Sequence, residues 1–225
     1  MRFWNTSVNM VRKLKHKKKT TSKKIYSQGR VKRGPAPMVQ LKQKSYRKAL
    51  PELRRDFEDR CAYCMRHIGT KTEMQIDHFD PRKKGDKIQV YSNLFLSDAH
   101  CNGAKHNIWP TPEEQAAGCR FLNCCDEYDY GTVIFEDPQT HELEGMSSAA
   151  IYHIEMIDLN DPGLVDARRF RAEIMAKLEY ARGEAESSPK IMEAVNKLLE
   201  MAHGLIPDIP APPGYWTILN HPVSI

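Results

Sequence analysis

The stretch from Cys61 to His106 constrains this chain more than any other. It reads C-A-Y-C at 61–64, I-D-H-F-D-P at 76–81, S-N-L-F-L at 92–96 and H-C-N-G-A-K-H at 100–106. A C-x-x-C pair offers a metal two ligands from a single turn, and a structural zinc site closes with four ligands in a tetrahedron. Cys61 and Cys64 form that pair, and Cys101 is the natural third ligand. The fourth stays open. Asp98 stands three residues before Cys101, where a second knuckle would carry a cysteine, and His100, Cys119, Cys124 and Cys125 are alternatives.

The same stretch holds the parts for phosphodiester hydrolysis. That reaction needs an activated water, charge relief on the phosphate and stabilisation of the leaving oxygen. A neutral imidazole takes a proton from water near neutral pH, and His78 fits that role. Asp77 offers a hard oxygen ligand suited to Mg²⁺ or Mn²⁺. Adjacent strand residues point to opposite faces, so Asp77 and His78 serve one site only at a distorted strand end. Asn102 supplies a second oxygen ligand from a helix start, and His106, one turn on, a third ligand. Asn93 orients the base or braces its loop. Arg82, Lys83, Lys84 and Lys105 are placed to contact nucleic-acid phosphates. The local order is strand, strand, helix: Met74–Ile76 running into Asp77-His78, then Val90–Leu96, then a helix from Asp98–Cys101.

Taken in order, C-x-x-C, Asp77-His78, Asn93-Leu94 and Cys101-Asn102-x-x-Lys105 resemble the HNH (ββα-metal) endonuclease family over about residues 58–106. The resemblance implies a metal-dependent endonuclease that hydrolyses DNA. His78 would be the general base, Asp77 and Asn102 the catalytic-metal ligands, and Asn93 the positioning residue. Two departures stand out: Asp98 replaces a knuckle cysteine, and Asn102 replaces the family's terminal histidine. Residues 107–170 are more loosely similar to HNH proteins of bacterial anti-phage systems, the Septu nuclease subunit and retron-associated HNH proteins. Trp109-Pro110 and the Leu159-Asn160 turn before Leu164 and Arg168 carry that similarity. It implies a defence nuclease working with an ATPase partner.

Charge divides the chain. Residues 1–50 hold 16 Lys or Arg and no Asp or Glu; the other 175 hold 34 − 16 = 18 basic and 29 acidic groups, a balance of −11. A dense phosphate backbone rewards such a cationic arm through counterion release, so residues 1–48 read as an extended basic arm contacting DNA, with RNA as the alternative polyanion. The acidic body is a second possible partner for the arm, within the chain or in an oligomer. Trp4 and Tyr26 are candidates to stack on bases. No apolar run approaches the roughly eighteen residues that span a bilayer, and there is no secretory h-region. The chain therefore reads as cytoplasmic, and its six cysteines as metal ligands rather than disulfides.

The expected fold is α+β in three parts: the arm (1–48), an HNH core with its zinc knuckle (49–110), and an extension ending in a helical hairpin and Pro-rich tail (111–225). A helix from about Ser45 to Arg60 turns Leu50, Leu53 and Phe57 inward. Residues 108–131 read as loop. Thr132–Phe135 and Ile151–Leu159 read as short strands. Asn160-Asp161-Pro162 starts a helix to about Arg182 with Phe170, Ile174, Leu178 and Ala181 inward. Ser188-Pro189 starts another with Ile191, Val195, Leu198 and Ala202 inward. The tail reads as a strap pinned by Tyr215 and Trp216. Two other functions compete with a DNA nuclease: a zinc-knuckle nucleic-acid-binding module without catalysis, and a toxin-like nuclease cutting RNA.

Overall fold

Residues 41–43 run along residues 87–89, and the chain then turns into its first helix. In the computed structural model, which describes residues 29–69, 74–184 and 188–213, helix α1 spans Leu50–Phe57. A 3-10 turn at Tyr46–Ala49 precedes it. The expected single helix over 45–60 is therefore shorter. Pro51 sits in its first turn, and Glu58 ends it in the left-handed conformation (φ 52°). Leu53 and Phe57 are buried, as the pattern requires.

Strands β1 (Gln75–His78) and β2 (Leu94–Ser97) pair antiparallel, with Asp77 opposite Phe95 and His78 opposite Leu94. Helix α2 (Ala99–Lys105) follows at once. Asp98 caps it, its side chain accepting from the Cys101 N–H at 2.8 Å, which satisfies a donor that a helix start leaves orphaned. The C-x-x-C turn sits over β2: the Ala62 N–H donates to the Leu96 carbonyl at 2.8 Å, and an Arg60–His67 bridge closes the turn.

The rest wraps this core. Helix α3 (Pro112–Ala116) begins with a capping box between Thr111 and Glu114, inside the stretch expected to be loop. Strands β3 (Ile134–Glu136) and β4 (Leu143–Gly145) form a second antiparallel pair, where only one strand was expected. Ile151–Leu159 is not a strand. Helix α4 spans Ser148–Met156 behind the Ser147 cap and buries Ala149, Ala150, Tyr152, His153 and Ile154. A helix buried on most sides shows no one-sided period, so its apolar run imitates a strand.

Helices α5 (Pro162–Glu184) and α6 (Pro189–Leu205) pack against each other. Their inward faces match expectation in part: Val195 and Ala202 are buried and Ile174, Leu178 and Ala181 half-buried, while Phe170, Ile191 and Leu198 are exposed and Leu164, Val165 and Leu199 are buried in their place. Arg168 and Arg171 fill the place expected of apolar residues on α5. Arg168 donates to the carbonyls of His141 and Leu159, and Arg171 pairs with Glu136 and Asp208. The strap after α6 buries Ile206 and Ile209, and its Pro210 carbonyl accepts from the Glu136 N–H. Tyr215 and Trp216 lie outside the described residues, as do Trp4 and Tyr26.

The expected arm splits at residue 29. Residues 1–28 are outside the description, and 29–48 form a clasp on the body. Val31 and Leu41 are buried. Arg30 pairs with Asp129 at 2.7 Å and donates to the Ala62 carbonyl at 2.7 Å. The Arg33 guanidinium lies about 5 Å from the rings of Phe57, Tyr91 and Phe95 and donates to the Leu94 carbonyl. These two arginines hold the fold together. One hydrophobic cluster runs from Val31 and Leu41 through α1, β2 and α2 to α4 and Leu164. Among the described residues, no helix is long and apolar enough to cross a membrane.

Candidate metal centre and active-site cleft

The knuckle turn and the first turn of α2 bring Cys61, Cys64, Asp98 and Cys101 together. One ligand atom from each lies within 4.8 Å of the others, and all four residues are buried. A tetrahedral zinc with Zn–S bonds of about 2.3 Å sets its sulfurs about 3.8 Å apart, so the spacing fits. The chemistry fits as well. Three soft thiols and a carboxylate face one another out of water, Cys64 Sγ stands 3.0 Å from Asp98 Oδ2, and all three cysteines are free thiols. Asp98 divides its oxygens, Oδ1 capping α2 and Oδ2 facing the thiols. His100, Cys119, Cys124 and Cys125 do not join this cluster. The His100 ring instead meets the Asp158 carbonyl, and Cys125 meets Arg33. A second group, His100, Asp158 and Asp161, lies nearer the surface.

A cleft of about 500 Å³ opens beside β1. Asp77, His78, Asn102 and His106 all line it, together with Tyr46, Arg47, Gln75 and Lys84. Asp77 and His78, neighbours at the end of β1, thus both contribute to the wall of one cleft. Asp77 is buried, and its Oδ2 accepts from the Tyr63 hydroxyl and pairs with Lys105 Nζ at 2.9 Å. Among the described residues none hydrogen-bonds its Oδ1, which leaves that oxygen for a ligand. The Asn102 amide nitrogen donates to Gln75 Oε1, which leaves Asn102 Oδ1 as its available oxygen. These two oxygens, with the His106 ring, are the residues that could hold a hard divalent cation.

His78 has its Nε2 at 2.6 Å from Gln89 Oε1, and its ring packs edge-on against Tyr46 with centroids 4.9 Å apart. Burial lowers its pKa from histidine's ordinary value and outweighs the opposing pull of Gln89 and Asp77; Lys84 and Lys105 add to the lowering. The imidazole is thus held neutral near pH 7, the form that accepts a proton.

Asn93 lies outside the cleft. Its amide clamps the Asp80 backbone twice, accepting from the N–H at 2.8 Å and donating to the carbonyl at 3.1 Å. It braces the loop that follows His78.

The four basic residues expected at phosphate divide. Lys84 lines the cleft. Arg82 is held by Asp80 at 2.9 Å and lies over the Trp109 ring, and Lys83 faces Asp80 at 3.8 Å. Lys105 departs from expectation. Its ammonium is wholly buried between Asp77 and the His78 carbonyl, a brace for the site rather than a phosphate contact. Tyr46, Arg47, Gln75 and Gln89 were not foreseen. Only chain folding brings Tyr46 and Arg47 to the cleft. Gln75 and Gln89, by contrast, flank the motif in sequence.

This geometry coincides with the one family relationship found. Residues 61–107 match the family model for HNH endonuclease, which is 47 of the 225 residues. The match supports a nuclease of the HNH family, a class that binds metal ions and acts on nucleic acid. No curated protein and no solved structure matches the chain.

Proposed function

We propose that this protein is a metal-dependent endonuclease that hydrolyses DNA phosphodiester bonds in the cleft beside β1. The carrying observation is the meeting of Asp77, His78, Asn102 and His106 in one cleft inside the segment that matches the HNH model. His78 is the general base and takes the proton of the attacking water. Asp77 Oδ1, Asn102 Oδ1 and the His106 ring would hold Mg²⁺ or Mn²⁺. When bound, such a cation supplies Lewis-acid stabilisation of the phosphate and leaving oxygen. Lys105 and Tyr63 fix the Asp77 carboxylate, so the ligand oxygen is oriented before a metal arrives. Arg47 and Lys84 offer the scissile strand positive charge at the cleft mouth. Zinc at Cys61, Cys64, Asp98 and Cys101 is scaffold, tying the knuckle to the first turn of α2.

DNA rather than RNA is the reading we adopt, because single-stranded RNA readers lean on aromatic platforms and the sequence carries no such aromatic sheet pattern. A role in anti-phage defence beside an ATPase is supported by the resemblance over 107–170 alone.

The test is incubation of the zinc-loaded protein with supercoiled plasmid, single-stranded DNA and RNA, in Mg²⁺, Mn²⁺ or EDTA. Nicking or linearisation of plasmid that EDTA abolishes is the expected result. Cleavage of RNA with plasmid left intact would replace DNA as the substrate. Tight DNA binding without cleavage in any metal would favour a binding module.

A further inference from the structure

Gln89 lies outside every motif residue, yet it makes the only described contact to the far nitrogen of the candidate base. It is buried, and both halves of its amide are engaged. Its amide nitrogen donates to the Asp86 carbonyl at 2.5 Å, and its Oε1 meets His78 Nε2 at 2.6 Å. A backbone carbonyl only accepts. Flipping the amide would set two oxygens against each other at Asp86, so the oxygen must face His78. An amide oxygen also only accepts. His78 Nε2 must therefore carry the proton, and the lone pair of the neutral ring sits on Nδ1. Gln89 is not a lining residue of the cleft, while His78 is. Among the described residues, none hydrogen-bonds Nδ1.

We propose that Gln89 is a positioning residue that fixes the tautomer of His78 so that Nδ1 faces the cleft as the proton acceptor. The assignment rests on the reading of His78 as general base. The clasp holds Gln89 in turn. The Gln89 N–H donates to the Leu41 carbonyl at 2.8 Å, Lys42 bridges Ile88, and the Gln43 N–H donates to the Lys87 carbonyl at 3.2 Å. Five residues past Leu41, Tyr46 packs edge-on against the His78 ring. The segment before the HNH core thus reaches the base by two routes, one through Gln89 and one direct. Partners that orient a catalytic histidine through its second nitrogen set which nitrogen is free to react.

The experiment records the ring nitrogens of His78 by ¹⁵N NMR in ¹⁵N-histidine-labelled full chain, at a pH where the ring is neutral. It is paired with steady-state cleavage kinetics of wild type, Gln89→Leu and His78→Ala. The expected result is a proton on Nε2 in wild type and loss of that single tautomer in Gln89→Leu. That variant should lose kcat by about 10- to 100-fold with KM held within about twofold, because Gln89 touches no substrate. A wild-type ring with its proton on Nδ1 overturns the proposal, even if the variant fails to fold. So does a folded Gln89→Leu with unchanged kcat while His78→Ala is inactive. Full activity in His78→Ala would remove the base assignment and the positioning role with it, so failure of the two readings is told apart.

Discussion

Lys105 shows how far one side chain can depart from its motif position. A lysine four residues after a zinc cysteine looks like a phosphate contact, yet here it is fully buried against Asp77. Removing one partner of a buried ion pair costs about 3–5 kcal/mol because it strands the other charge. Lys105→Met should therefore lower the melting temperature steeply and weaken metal binding at Asp77, with thermal unfolding and calorimetric Mn²⁺ titration as readouts. A variant as stable as wild type would mean the pair is not closed in solution. Cys125 gives a second residue-scale test. The hydrogen bond from Cys124 outweighs burial and, with Arg33 beside it, pulls this thiol down to about 7. Its alkylation by iodoacetamide should rise through neutral pH, about two units below an ordinary thiol. Mass spectrometry of the modified peptide reads the midpoint, and one near 9 would contradict the contact.

Local sequence signals set most of the elements around the site. Strands β1 and β2 and helix α2 were legible from short local stretches: Met74–Ile76 running into Asp77-His78, the Val90–Leu96 run, and a helix start at Asp98–Cys101. Helix α4 was not, since burial on most sides erased its period. The faces of α5 and α6 were legible in part: Val195 and Ala202 pack inward as their spacing implies, but Arg168 and Arg171 are buried on α5 while Phe170 is exposed, and Leu199 rather than Leu198 packs inward on α6. Within the cleft, Asp77, His78, Asn102 and His106 could be named from spacing. Tyr46 and Arg47 arrive by tertiary contact and leave no periodic trace. The interior of α4 also sets a pH dependence. Burial drops His153 from an ordinary 6.5 to about 4, its Nδ1 accepting from the Leu122 N–H. The unfolded chain then binds the proton more readily, so stability is full above pH 6.5 and is lost as pH falls toward about 4. The loss amounts to as much as about 3 kcal/mol. His153→Gln, which lacks the titration, should show a flatter stability curve across that window in urea unfolding. Parallel wild-type and variant curves would argue against a neutral buried ring.

The molecule as a whole is tied together at two places, the clasp and the cluster of Cys61, Cys64, Asp98 and Cys101. Deleting residues 1–28 removes nine of the sixteen basic groups before residue 51 and leaves the clasp in place. DNA affinity and its salt slope should fall while the melting temperature holds. Deleting residues 1–44 also removes Arg30 and Arg33 and strands Asp129 and the Leu94 carbonyl, so that protein should lose its cooperative transition. If the longer deletion melts like wild type, the clasp is not part of the fold. At the other end, beside the knuckle turn, the Leu205 carbonyl at the close of α6 accepts from the His67 N–H. Cys61→Ser should lower zinc content and melting temperature together.

The most direct measurement is cleavage of supercoiled plasmid in Mg²⁺ by wild type and His78→Ala, matched for zinc content and for DNA affinity. Wild type should nick or linearise the plasmid, and His78→Ala should bind it equally well and leave it intact. Equal cleavage by both proteins would contradict the assignment of the Asp77-His78 cleft as the catalytic site.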